Sequence, residues 1–203
     1  MSRDPLRLLL ATHNQHKRRE LERLLGMSGS GGWGLDILPD AVELPPEDGE
    51  TFAENALGKA RAAAAATGRV TIADDSGIEA AALGGRPGIR SARYARVGAG
   101  DAENLDKLLH EAPPGSALRY VCVIAYVDPC SAVERVFEGD CTGVLAAEPR
   151  GERGFGYDPA FVPDDHGGGE TMAELSDAQK DAISHRGRAA RALAGWLGAV
   201  RTG

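Results

Sequence analysis

The chain has 203 residues, 42% of them hydrophobic and 26% charged, the proportions of one soluble domain with a packed core. Its net charge of -7 counts against a nucleic-acid-binding module, which needs a basic face, although a few Lys and Arg gathered in one place can still hold a small anion. No apolar run approaches the ~20 residues of a membrane span, residues 6–11 lack the build of a signal peptide, and three cysteines without C-x-x-C or zinc spacing predict reduced thiols in a cytoplasmic protein.

Residues 6–11, Leu-Arg-Leu-Leu-Leu-Ala, form a short apolar run of the kind that makes a buried strand. A polar loop at 12–15 follows, then Leu21, Leu24 and Leu25 at helical spacing predict an amphipathic helix over 16–25. Residues 28–34 read as a Gly/Ser loop and 35–38 as a second strand. Thr51 and Glu54 stand at capping-box spacing ahead of a helix over 52–67, which Gly68 stops. The spacing then predicts a strand at 70–73, ended by a loop at 74–77, and a further loop at 84–88. Asp101 is the expected cap of a helix bearing Leu105, Leu108 and Leu109, closed by Pro113-Pro114-Gly115. The longest apolar run, 118–127, predicts a central strand, with weaker strands at 133–137 and 142–146 and a short one at Phe161-Val162. Ser176 with Gln179 predicts a short capped helix, and Ser184 a last one with Ala190, Leu193, Leu197 and Val200 on one face. Helices alternate with strands early and strands cluster later, so the class is α/β with a mixed sheet flanked by helices, in a single domain spanning 1–203.

Five segments carry residue types suited to chemistry. Thr12-His13-Asn14-Gln15-His16-Lys17 lies between a buried strand and a helix start, where free N–H groups and the dipole favour an anion; it also reads as an ordinary capped helix with a basic first turn. Asp74-Asp75 at a strand end repel each other unless a counter-charge intervenes, and magnesium, which takes one or two carboxylates, is one remedy; an exposed Asx turn is the other reading. Glu47, Asp48 and Glu50 add acid in a Pro/Gly loop that also reads as a solvated acidic loop, and Lys59 on the next helix faces the same site or is a surface lysine. Gly154-Phe155-Gly156-Tyr157-Asp158-Pro159 fixes two aromatics between glycines, either as a stacking platform for a base or as an anchored turn. Lys180 and Ser184-His185-Arg186 put cations near a helix start, where Arg donors suit a carbonyl or phosphate oxygen; a capped helix start with a basic surface is the other reading.

In order along the chain, seven segments resemble the inosine triphosphate pyrophosphatase family. They are Thr12-x-Asn14-x-x-Lys17, Glu47-x-Gly49-x-Thr51-Phe52-x-Glu54-Asn55-Ala56, Ala73-Asp74-Asp75-Ser76-Gly77, Gly84-Gly85-x-Pro87-Gly88, Ser91-Ala92-Arg93-Tyr94, Gly154-Phe155-Gly156-Tyr157-Asp158-Pro159, and Ala173-Glu174-Leu175 leading to Lys180 and Ser184-His185-Arg186. The resemblance implies magnesium-dependent hydrolysis of ITP, dITP and XTP to the monophosphate and pyrophosphate. It implies that Thr12, His13, Asn14, Gln15, His16 and Lys17 hold the triphosphate. Glu47 and Asp75 would hold magnesium, with Asp75 also accepting the proton of the attacking water and Asp74 in support. Lys59 and Ser76 would touch substrate, while Phe155, Gly156, Tyr157, Asp158, Lys180, His185 and Arg186 would hold base and sugar. It further implies an elongated mixed sheet with two lobes around a deep cleft, and a homodimer. His13 stands where many relatives have Gly. A septum-inhibitor-type nucleotide pyrophosphatase shares the logic but lacks the Ser184-His185-Arg186 ending; a non-catalytic nucleotide-binding regulator would not need Glu47 and Asp75 beside Lys17.

Overall fold

The computed structural model describes residues 6–27 and 33–202, the last two as backbone, so positions 28–32 of the expected loop lie outside the described residues. Strand β1 (Leu6–Leu10) is buried at Leu8, Leu9 and Leu10. Helix α1 (Gln15–Met27) starts because Asn14 Oδ1 accepts from the backbone N–H of His16 at 2.9 Å and of Lys17 at 3.1 Å, satisfying two donors that have no partner within the helix. Strand β2 (Trp33–Ile37) begins earlier than expected, since its parallel ladder with β1 runs from Leu6 opposite Trp33 to Leu10 opposite Ile37.

Helix α2 (Phe52–Thr67) has the expected bounds. Thr51 Oγ1 accepts from Glu54 N at 3.1 Å, and the Glu54 carboxylate accepts from Thr51 N at 3.2 Å. Gly68 ends it at φ 67, a left-handed position that costs a side chain ~1–2 kcal/mol. Strand β3 (Thr71–Ala80) corrects the expected loop at 74–77: Asp74, Asp75, Ser76 and Gly77 all lie within the strand. The acidic pair can stay in extended backbone because each carboxylate meets a polar partner, Lys17 Nζ 3.3 Å from Asp74 Oδ2 and Asn55 Nδ2 donating to Asp75 Oδ2.

Helix α3 (Asp101–Glu111) corrects a second expectation. Gly100 is its N-cap and Asp101 its first helical residue; the Asp101 carboxylate accepts instead from Gly156 N at 2.9 Å. Strand β4 (Ala117–Asp128) is the expected central strand. Strand β5 (Val133–Leu145) is one long strand where two were expected, because Gly139, Cys141, Gly143 and Leu145 keep a period-2 inward face that small residues hid from a hydrophobicity reading. Strand β6 (Phe161–Pro163) pairs antiparallel with it. Helix α4 (Asp177–Ile183) carries the Ser176–Gln179 capping box. Helix α5 (His185–Thr202) follows Ser184, whose Oγ accepts from Gly187 N at 3.1 Å. Its buried face is Ala189, Ala190, Leu193 and Leu197; Val200, expected on that face, is 57% exposed one turn nearer the helix end.

The six strands among the described residues form one mixed sheet in the order β2-β1-β3-β4-β5-β6, with helices alongside, the α/β class expected. The chain divides into two units: residues 1–75, 122–139 and 189–203, and residues 76–121 and 140–188. The first has an apolar core of Leu8, Leu10, Leu21, Leu25, Ile72, Ile124, Leu193 and Leu197. The second packs Ile78, Leu108, Leu118, Leu145, Tyr157, Phe161 and Met172. None of the three cysteines is in a disulfide. Among the described residues no helix is long and apolar enough to cross a membrane.

Candidate active site

In the first unit, the end of β1, the first turns of α1 and α2, the loop at 44–50 and the middle of β3 gather five ionisable side chains. Asp74 is buried, and its Oδ2 lies 3.3 Å from Lys17 Nζ. Lys59 Nζ donates to Glu47 Oε1 and, at 2.6 Å, to the Asp74 carbonyl oxygen. Asp75, 4% exposed, accepts from Asn55 Nδ2 at 2.9 Å, and Asn55 Oδ1 accepts from Gly49 N at 2.8 Å. Asn55 therefore ties the acidic loop to the strand that bears Asp75.

The two acids at this cluster are tuned in opposite directions. Burial pushes the Asp75 carboxyl above its ordinary range, and the ammonium groups of Lys17 and Lys59 offset only part of that rise. Burial acts on Glu47 in the same direction, but there the charge and hydrogen bond of Lys59, with Lys17 beyond, outweigh it and hold the group below its ordinary range. A buried carboxylate that grips its proton more tightly than usual is a better proton acceptor once ionised.

Among the described residues no three His, Cys, Asp or Glu side chains are grouped closely enough to cage a metal ion. The donors present are carboxylate oxygens on Glu47, Asp74 and Asp75. They are hard ligands of the type magnesium takes one or two at a time, with water and phosphate completing its shell.

The second unit holds the other cluster. Asp158, 3% exposed, spends both carboxylate oxygens internally: Oδ1 accepts from Tyr120 OH at 3.2 Å, and Oδ2 from Lys180 Nζ at 2.6 Å and Phe155 N at 2.8 Å. Gly154, at φ 73, leaves room for this, since a Cβ there would come within 2.1 Å of Asp158 Oδ2. The partly buried Phe155 ring has Lys180 Nζ 5.3 Å and Arg186 Cζ 5.6 Å from its centroid. Arg186, 1% exposed, donates from Nη2 to Ser76 Oγ at 2.7 Å. His185 stacks on Tyr120 at 4.4 Å with the rings 6° from parallel.

The residues singled out in the sequence thus fall into two groups. Lys17, Glu47, Lys59, Asp74 and Asp75 come together in the first unit, with Thr12, His13, Asn14, Gln15 and His16 on the partly to fully exposed turn that leads into α1. Ser76, Phe155, Asp158, Lys180, His185 and Arg186 come together in the second. Tyr157 does not join them as a stacking surface. Its ring is in the core and its hydroxyl donates to the Ser91 carbonyl at 2.8 Å, so Phe155 alone offers an aromatic face. Gly156 contributes backbone, held by Asp101.

Asn55, Tyr120 and Asp101 were not found as site residues from sequence. For Asn55 a signal existed: the buried stripe of α2 runs Phe52, Asn55, Ala56, Lys59, Ala60, Ala63, and two polar residues on an apolar stripe must have partners inside. Tyr120 sits in an apolar strand with no such mark.

Comparison with known proteins places the chain in a family. A dITP/XTP pyrophosphatase of Mycolicibacterium paratuberculosis is 48% identical over 192 residues, covering 92% of this chain and 93% of that protein. One of Frankia alni is 49% identical over 208 residues, covering 97% and 100%. The solved structure of a HAM1 protein from Coxiella burnetii superposes with a TM-score of 0.82 at 38% identity, covering 95% of this chain and 98% of that one. The Ham1 family model matches residues 8–196. The resemblance read from seven ordered motifs therefore holds over nearly the whole length, and the chain belongs to the Ham1 family.

Proposed function

We propose that this protein is a nucleoside triphosphate pyrophosphatase that hydrolyses the non-standard purine nucleotides ITP, dITP and XTP to the monophosphate and pyrophosphate, cleansing the nucleotide pool. The observation that carries this reading is the joining of Glu47, Asp74 and Asp75 with Lys17 and Lys59 in one cluster, where acids for water activation stand beside cations for phosphate. The names of the relatives, dITP/XTP pyrophosphatase, support dITP and XTP among these substrates.

Water attacks the α-phosphorus and pyrophosphate leaves. Asp75 accepts the proton of that water, a role suited to a buried carboxylate with a raised pKa. Asn55 fixes the Asp75 oxygen and so aims the remaining lone pairs. Lys17 and Lys59 offset charge on the triphosphate, and the N–H groups and Asn14-capped turn at the start of α1 orient its phosphates. Glu47 and Asp75 would hold magnesium, which when bound neutralises phosphate charge and lowers the pKa of bound water.

Base selection belongs to the second cluster, which begins with Ser76, the chain neighbour of Asp75. Inosine and xanthosine carry a 6-oxo acceptor where adenosine has a 6-amino donor. Arg186 and nearby donors match the oxygen and lose a partner with adenine, a mismatch that can reach a factor of ~10⁴. Phe155 provides the stacking face, and Asp158 holds Lys180 and the 155 backbone in place. The family resemblance adds a homodimer as the working form, and the cysteine pattern favours a cytoplasmic one.

The test is pyrophosphate release across a panel of triphosphates with magnesium. ITP, dITP and XTP should be turned over far faster than ATP. Stepwise release of single phosphates, or equal rates on ATP and ITP, would remove the proposal.

A further inference from the structure

We propose that Tyr120, on β4, is a positioning residue for base recognition, acting through His185 and Asp158; the inference rests on the base-binding reading of that cluster. Tyr120 is 6% exposed and makes three contacts of different kinds. Its ring stacks on His185 at 4.4 Å and 6° from parallel. A second ring, Phe161, packs at 4.6 Å with a tilt of 39°. Its hydroxyl donates to Asp158 Oδ1 at 3.2 Å.

A ring needed only to fill space here would carry no hydroxyl, since a buried O–H must find an acceptor. This hydroxyl finds the one carboxylate that also holds Lys180 Nζ and the Phe155 backbone N–H. The stack meanwhile fixes the plane of His185, which opens α5 next to the buried Arg186. β4 lies between β3 and β5 in the sheet interior, the kind of element that opens less readily than the segment at 151–157 or the first turn of α5, which bear the base-facing groups. Tyr120 therefore anchors His185 on one side and Asp158 on the other to a fixed reference. Without the ring the imidazole can rotate; without the hydroxyl Asp158 loses the bond that fixes its Oδ1, and Lys180 and Phe155 follow.

A double-mutant cycle tests this, read as the ratio of kcat/KM for ITP to that for ATP. Aromatic pairs couple by roughly 2- to 10-fold. Tyr120→Leu should lower the ratio by that factor in the otherwise unchanged protein, and in a His185→Ala background only by the smaller factor that loss of the hydroxyl to Asp158 produces. Tyr120→Phe keeps the ring and its volume, so it carries the test if the leucine variant does not fold. It should lower the ratio by a smaller factor, and this loss should vanish in an Asp158→Ala background, which removes the hydroxyl's acceptor. A general packing role would instead depress both nucleotides equally, with the ratio unchanged, and that outcome overturns the proposal. So does a loss of equal size with and without His185 or Asp158. If His185→Ala by itself leaves the ratio unchanged, the base-binding reading fails and takes Tyr120 with it; if His185→Ala lowers it and neither Tyr120 variant does, only the role of Tyr120 falls.

Discussion

Asp75 combines near-complete burial, one hydrogen bond from Asn55 and two ammonium groups close by. Its folded-state pKa lies above the ordinary 3.8, so the folded protein binds that proton more tightly than the unfolded chain. The contribution therefore favours the fold at low pH and is lost as pH rises from 3.8 through the raised value. Asp75→Asn removes the titration while keeping the size. In metal-free protein its thermal midpoint should gain on the wild type as pH goes from ~4 to ~7, while turnover falls at least ~10²-fold. A folded variant with near-normal turnover would contradict the assigned role, and a variant less stable at neutral pH would contradict the burial argument. Arg186 and Lys17 make a second contrast. Arg186→Ala should lower the preference for ITP over ATP more than it lowers pyrophosphate chemistry, and the buried Ser76 contact it loses should also lower the thermal midpoint. Lys17→Ala should depress every triphosphate by a similar factor, since phosphate is common to all. Measuring kcat/KM for both variants on both nucleotides separates the cases: equal losses from Arg186→Ala would make it a phosphate or structural residue.

At the scale of elements, the helices were legible because their ends are written in side chains. Thr51 with Glu54, Ser176 with Gln179, Asn14 and Gly68 all act where their spacing put them. Thr51→Ala should cost ~0.5–2 kcal/mol, seen as a lower urea midpoint with unchanged slope, because α2 carries both Asn55 and Lys59 on its buried stripe. An unchanged midpoint would mean that packing alone holds the helix start. The strands were less legible. Asp74 and Asp75 looked like a loop because charge reads as solvent-facing, and only the partners Lys17 and Asn55, distant in sequence, let them stay in β3. The middle of β5 was hidden because Gly139, Cys141 and Gly143 face inward without contributing the bulk that marks a core face. Asp101 matched a cap by residue type, yet its carboxylate is engaged by Gly156, a tertiary contact no local pattern encodes.

At the scale of the whole molecule, side chains from five of the seven short motifs, scattered from residue 12 to residue 186, gather in two clusters, one in each unit. Which segments to look at was therefore readable, while which of their residues touch one another was not. Asp158 and Tyr157 show the difference: both sit in the glycine-rich motif, but one carboxylate organises Lys180, Tyr120 and Phe155, and the other ring is core. The central claim is that water, activated at Asp75, attacks the α-phosphorus of a 6-oxo purine triphosphate. Hydrolysis of dITP in ¹⁸O-labelled water tests it most directly. The account predicts label in the deoxyinosine monophosphate, unlabelled pyrophosphate, and a rate that dATP does not approach; label in pyrophosphate, or in free phosphate released one group at a time, would contradict it.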